Sequence, residues 1–219
     1  MYTRLRGATL VLFAAAFALA PANADGQTNP VHAHIGHAAD GFRGTPDGMG
    51  LLPTAVAEAE IAHQHATLAG RDPSSLEGMQ RHMAHVIHAL DPSEVEAGPG
   101  MGYGVLAAAE GAARHTELAA GSDGASDGVK THATHVATAA RHAVTNAEAA
   151  IGLAEEIQEA EDAATAAELL TQLTALTDAI LNGVDANEDG RVGWQEGEGG
   201  LAQATTHMGL IKRGEGLGG

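Results

Sequence analysis

A displacement of about 50 residues lays one central stretch of this chain over another, with no gap across about 30 positions. Glu60 falls on Glu110, His65 on His115, Leu68-Ala69 on Leu118-Ala119 and Gly78 on Gly128. His82 then matches His132, and His85-Val86 matches His135-Val136. So long a match without gaps reads as duplication of one unit. Within the first copy, Leu76, Met79, Met83, Val86 and Leu90 recur in alternating steps of three and four, the signature of a helix with one buried face. Ile61, His65 and Leu68 trace a second such stripe, and Gly70 and Asp72-Pro73 break the chain between the two. The unit is therefore a helical hairpin, and two hairpins bury their stripes by forming a four-helix bundle with approximate two-fold symmetry.

Composition points the same way. Beyond residue 24 the only aromatics are Phe42, Tyr103 and Trp194, so the core must be built from Ala, Leu, Val, Ile and Met. Small residues at helical spacing suit closely packed helices, and the β-branched, aromatic runs of strands are missing, so the expected class is all-α. The chain has no cysteine, which excludes disulfides, thiolate zinc sites, iron–sulfur clusters and covalently attached haem. A net charge of −17 makes nucleic acid and anionic membranes poor partners and cations good ones.

Arg4 and Arg6, the apolar run from Ala8 to Ala20 and Ala22-Asn23-Ala24 have the form of a secretory signal peptide cut after Ala24. No later apolar stretch is long enough to span a bilayer, so a chain exported to the periplasm or the medium is expected, without an integral membrane segment. Residues 25–50, rich in Gly, Asn, Asp and Pro, read as an irregular histidine-bearing arm. Helices are expected over 53–69, 73–90, 104–120 and 126–161, making 51–161 the duplicated bundle. Region 162–219 then holds a helix over 164–183, a loop, a last helix toward Leu210 and a frayed tail.

The loop in that region runs Asp185-Ala-Asn187-Glu-Asp189-Gly190-Arg191-Val192-Gly193-Trp194-Gln195-Glu196. Calcium takes six to eight oxygens, and Asp185, Asn187 and Asp189 stand at positions 1, 3 and 5. Gly190 allows the sharp turn at position 6, Arg191 offers a backbone carbonyl at position 7, and Glu196 at position 12 supplies a bidentate carboxylate. Gly193 at position 9 leaves that vertex to a water. Loop and flanking helices, roughly residues 166 to 211, resemble an EF-hand. The resemblance implies calcium binding, and an unpaired EF-hand must either pack on the bundle or join a second molecule in a homodimer.

Both copies of the repeat also carry one Glu, one stripe His and one His-x-x-His pair. Histidines at i and i+3 lie ~60° apart around a helix, near enough to share one ion. The candidate ligands of a transition metal (zinc, copper or iron) are therefore His82, His85, His132, His135, His65, His115, Glu60 and Glu110. Helical angles leave two arrangements open: the glutamates with the His-x-x-His pairs, or His65 and His115 in their place. His142 shares a side with His132 and His135. His32, His34 and His37 could chelate or cap, whereas His63 and His207 read as surface or ordinary core residues and His88 as solvated. Met79 and Met83 read as core filling, since Val129 and Ala133 replace them in the second copy.

These features suggest an exported metal-binding protein, with calcium in the loop and a transition metal on the bundle. A metal-dependent enzyme, a bis-His haem b protein and a calcium-stabilised interaction protein remain as alternatives. No nucleophile pattern or phosphate loop supports catalysis beyond the metal site itself.

Overall fold

The computed structural model describes residues 29–218. The segment expected to be a signal peptide, and Asp25 to Thr28 of the arm, lie outside the described residues. Within them the chain is all-α, with seven helices and no strand: α1 (Pro30–Ala39), α2 (Leu51–Ala69), α3 (Leu76–Leu90), α4 (Val105–Gly121), α5 (Asp127–Glu159), α6 (Ala163–Asn182) and α7 (Leu201–Gly214). None of them is long and apolar enough to cross a membrane.

The irregular arm is corrected by α1. Asn29 caps this helix by accepting a hydrogen bond from Val31 N at 3.0 Å, and Pro30 occupies its first turn. Val31, Ile35 and Ala38 are buried at helical spacing, so apolar docking overrides the turn-rich composition around them. The segment after α1 is irregular as expected, with a short 3-10 turn at Pro46–Gly48.

Side-chain caps start α3, α5 and α6 where the apolar stripes begin, whereas α2, α4 and α7 follow a glycine. Ser75 accepts from Gly78 N at 3.1 Å, Ser126 from Val129 N at 3.1 Å and Asp162 from Thr165 N at 2.9 Å. Asp72 instead holds Ser74 N in the preceding turn, which is why α3 begins at Leu76 and not near Pro73. At the C-terminus, Leu217 N donates to Lys212 O, so the backbone stays hydrogen-bonded beyond the expected fray point.

Packing runs in a ring: α2 lies on α3, α3 on α5, α5 on α4, and α4 on α2. α1 lies along α4, while α6 and α7 both pack on α5. The buried face of α5 is almost all alanine, including Ala133, Ala140, Ala143, Ala147 and Ala154, and such small side chains let neighbouring helices approach closely. Among the described residues, the one charged side chain with no solvent exposure is Glu58 on α2. It accepts from Met101 N (2.9 Å), Tyr103 N (2.9 Å) and Gly104 N (3.0 Å), and so fastens the α3–α4 connection over the bundle end. His88, expected in solvent, is buried beneath Gly98 and Gly100 of that connection.

Candidate functional site

Nine of the histidines gather into three triads of one design, each made of a His-x-x-His pair on one helix and a single His on another. The first joins His34 and His37 of α1 to His115 of α4. The second joins His82 and His85 of α3 to His65 of α2. The third joins His132 and His135 of α5 to His207 of α7. All nine rings are half-buried, at the edge of helix–helix contacts.

In eight of the nine the Nδ1 atom approaches that of another histidine of the same triad. His34 and His115 approach to 3.0 Å, His65 lies 3.0 Å from His82 and 3.2 Å from His85, and His207 lies 3.1 Å from His132 and 3.3 Å from His135. The Nδ1 of His37 is buried and has no hydrogen-bond partner among the described residues. An ion held at 2.0–2.1 Å by three imidazoles in tetrahedral array needs nitrogens ~3.3 Å apart, and one with right-angled ligands needs ~2.9 Å. The spacings of 3.0–3.3 Å fall between these values, and the three ligand atoms of each triad all lie within 4.8 Å of one another. Axial ligands of haem must leave the macrocycle between them, so nitrogens this close do not suit the haem alternative.

Burial depresses the proton affinity of His34, His65, His82, His115, His135 and His207, and the neighbouring triad histidines add to it in each case. Neutral imidazole is the form that ligates a metal, so these rings are held ready at neutral pH. Three neutral nitrogens with no carboxylate or sulfur suit zinc, copper, nickel or iron, and leave further coordination positions to water or another ligand.

The expected ligands are distributed differently from the duplicated pattern. His65, His82 and His85 meet within the first hairpin. In the second hairpin His115 and the pair His132/His135 belong to separate triads, completed by α1 and α7. Glu60 and Glu110 join no triad. Glu60 precedes Ile61 by one residue, ~100° around the helix, and is exposed. Glu110, also exposed, pairs with Arg141 at 3.3 Å beside the stronger Arg141–Glu117 pair. His142 sits at 2.7 Å from Gly199 O, donating through Nδ1, and His63 Nδ1 lies 3.1 Å from Thr177 Oγ1. His207, read as an ordinary residue, completes the third triad, 75 positions from His132. The His-x-x-His spacing at His34 and His37 was the available signal for the first triad.

The Asp185–Glu196 loop is wound about its own side chains. Asp185 accepts from Asp189 N (3.1 Å) and Gly190 N (2.9 Å), Asn187 from Asp189 N (2.9 Å), and Asp189 from Arg191 N (2.9 Å). Gly190 adopts φ 84°, the turn its position requires. The exit helix differs from the expectation: α7 starts at Leu201, and Glu196 lies exposed in a turn. Glycines at 197, 199 and 200 delay the helix, and Gly199 and Gly200 pack too tightly against Ala139 and Gly183 to admit a β-carbon. The segment packs on α5 within the chain. Trp194 stacks on His135 with centroids 3.7 Å apart and planes 18° from parallel.

No family model matches the chain, and no curated protein or solved structure is similar enough to match it.

Proposed function

We propose that this is an exported transition-metal-binding protein that holds one divalent ion on each of its three histidine triads, with calcium in the Asp185–Glu196 loop. The observation that carries this reading is the convergence of Nδ1 atoms to 3.0–3.3 Å in three separate places. A single such cluster could arise from packing, but three repetitions of one geometry on different helix pairs favour a shared ligand. Zinc, copper or iron fits the imidazole set. The acidic chain raises the local concentration of cations around these sites.

The ring of α2, α3, α5 and α4 supports the reading of the duplicated hairpin as a four-helix bundle. The wound loop with Asp185, Asn187 and Asp189 at its centre supports calcium as the ion there, with Arg191 offering its carbonyl and Glu196 turning in. Glu196 makes no hydrogen bond or ion pair to the described residues, so that turn breaks nothing. The signal-peptide pattern of residues 1–24 supports export. Binding is the reading we adopt, because a set of metal ligands is what the geometry supports.

Equilibrium dialysis of the mature protein against zinc or copper, followed by elemental analysis, tests the reading. Three transition ions per chain are expected, and His65→Ala, His115→Ala and His207→Ala should each remove one. Retention of calcium alone would overturn the transition-metal function.

A further inference from the structure

The three triads share a ligand pattern but not their surroundings. In the second triad the rings of His65, His82 and His85 pack only against one another among the aromatic contacts of the described residues. In the first, Phe42 meets His37 and His115 edge-on, with centroids 5.5 and 5.3 Å apart. The third alone has an aromatic ring laid flat on a ligand. That ring belongs to Trp194, the chain's single tryptophan, and it comes from the loop read as a calcium site.

The segment Gly183–Gly200 is a loop closed at its neck. Val184 N donates to Glu198 O at 2.8 Å, Gly200 lies against Gly183, and Gly193 N donates to the buried Glu198 carboxylate at 2.9 Å. His142 of α5 holds Gly199 O at 2.7 Å. Gly200 N is capped by Gln203 at 2.8 Å, and this sets the start of α7, the helix that carries His207. Two of the third triad's three ligands thus depend on the conformation of one loop. His135 depends on it through the indole stack, and His207 through the helix that the loop launches.

We propose that the third triad is regulated by calcium: an ion in the Asp185–Glu196 loop tightens transition-metal binding at His132, His135 and His207, and leaves the other two triads unchanged. The inference rests on the proposed function. Its sign takes the described conformation, in which the wound loop, the Trp194 stack and the capped α7 coexist, as the state that both ions favour. Whichever binds first meets the cost of ordering the segment, and the second binds to a segment already ordered. Reciprocity then requires a transition ion on the third triad to tighten calcium binding by the same factor.

The single tryptophan provides a local readout. In the mature protein carrying His65→Ala and His115→Ala, zinc titration is followed by Trp194 fluorescence, with and without calcium. Zinc should change the emission, and calcium should lower the zinc Kd by about fivefold or more, as typical couplings do. Asp185→Ala with Asp189→Ala should abolish the calcium effect. Trp194→Phe keeps a ring and should retain part of the coupling, and Trp194→Ala should lose most of it, both read by competition with a chromophoric zinc chelator. Circular dichroism confirms that each variant folds.

Dialysis separates the failures. Zinc and calcium both bound, with a zinc Kd indifferent to calcium, would overturn the coupling and leave the proposed function standing. A zinc stoichiometry unaffected by His207→Ala would overturn the third site itself. Calcium that fails to bind at all would overturn both the loop reading and this regulation. A calcium effect of equal size at the second triad, measured in His115→Ala/His207→Ala protein, would replace local coupling by a general stabilisation of the fold.

Discussion

The α2–α3 and α4–α5 hairpins carry histidines at matching sequence positions, yet they use them in different ways. In α2 and α3 the stripe histidine and the His-x-x-His pair meet, so the hairpin contains its own triad. In α4 and α5 the corresponding residues part company: His115 turns to α1, and His132 and His135 turn to α7. The histidines of α4 and α5 therefore belong to two different triads, and each is completed by a helix from one end of the described chain. A site closed within a hairpin depends on a short connection. A site closed by a terminal helix depends on that helix staying docked.

The strongest way to break this comparison is to remove the single histidine of each triad. Loss of a ligand should cost at least the ~10–100-fold in affinity that outer-shell partners cost, at that triad alone. Isothermal titration of His65→Ala, His115→Ala and His207→Ala should each show one missing high-affinity event. If His115→Ala also weakened the site of His132 and His135, the second hairpin would be self-contained after all.

A second test uses the dependence on terminal helices. Zinc should slow amide exchange in α1 and α7 more than in α2 and α3, because it adds a clamp to helices that lack a partner hairpin. His115→Ala should cancel the protection of α1 and leave that of α7.

The end of the bundle gives a third. Glu58→Ala leaves the N–H groups of Met101, Tyr103 and Gly104 without their acceptor. The expected loss is ~3 kcal/mol, read as a fall in Tm of roughly 6–12 °C. Metal stoichiometry should be unchanged, because Glu58 touches no triad.

A smaller effect should follow pH. His34, His65, His82, His115, His135 and His207 are held neutral in the folded state by burial and by one another, below the ordinary value of 6.5. Below 6.5 the unfolded chain takes up more protons than the folded one, so folding weakens as pH falls through that range and is unaffected well above it. Metal-free protein should therefore melt at lower temperature at pH 5.5 than at 7.5, and bound metal should raise Tm at 7.5 more than at 5.5. The smallest expected effect is at Glu60→Gln and Glu110→Gln, which should leave every transition-metal affinity within about twofold, as surface substitutions away from a site do.

The residues themselves show how far the chain could be read directly. His65, His82 and His85 could be found together because they belong to adjacent helices and the hairpin connection sets their level. Glu60 was misplaced because a match in the repeat says nothing about which way a residue faces, and one step along a helix turns the side chain by ~100°. His34 and His37 carried the right spacing, but the turn-rich residues around them concealed a helix that exists because Val31, Ile35 and Ala38 have α4 to dock on. Nothing local distinguishes His207 from a surface histidine.

Sequence alone determined the helical class, through its period and its lack of aromatic and β-branched runs, and it determined the His-x-x-His pairs, because i and i+3 share a helix face wherever the helix goes. It also determined the acidic loop, whose Asp185, Asn187, Asp189 and Gly190 stand at fixed spacing. Tertiary structure decided which third histidine completes the pairs on α1 and α5, and that Trp194 lies on His135 and not in solvent. The reason is geometric. A pair within one helix is set by local backbone bonds, whereas a ligand 72 or more residues away is positioned only by how whole helices pack.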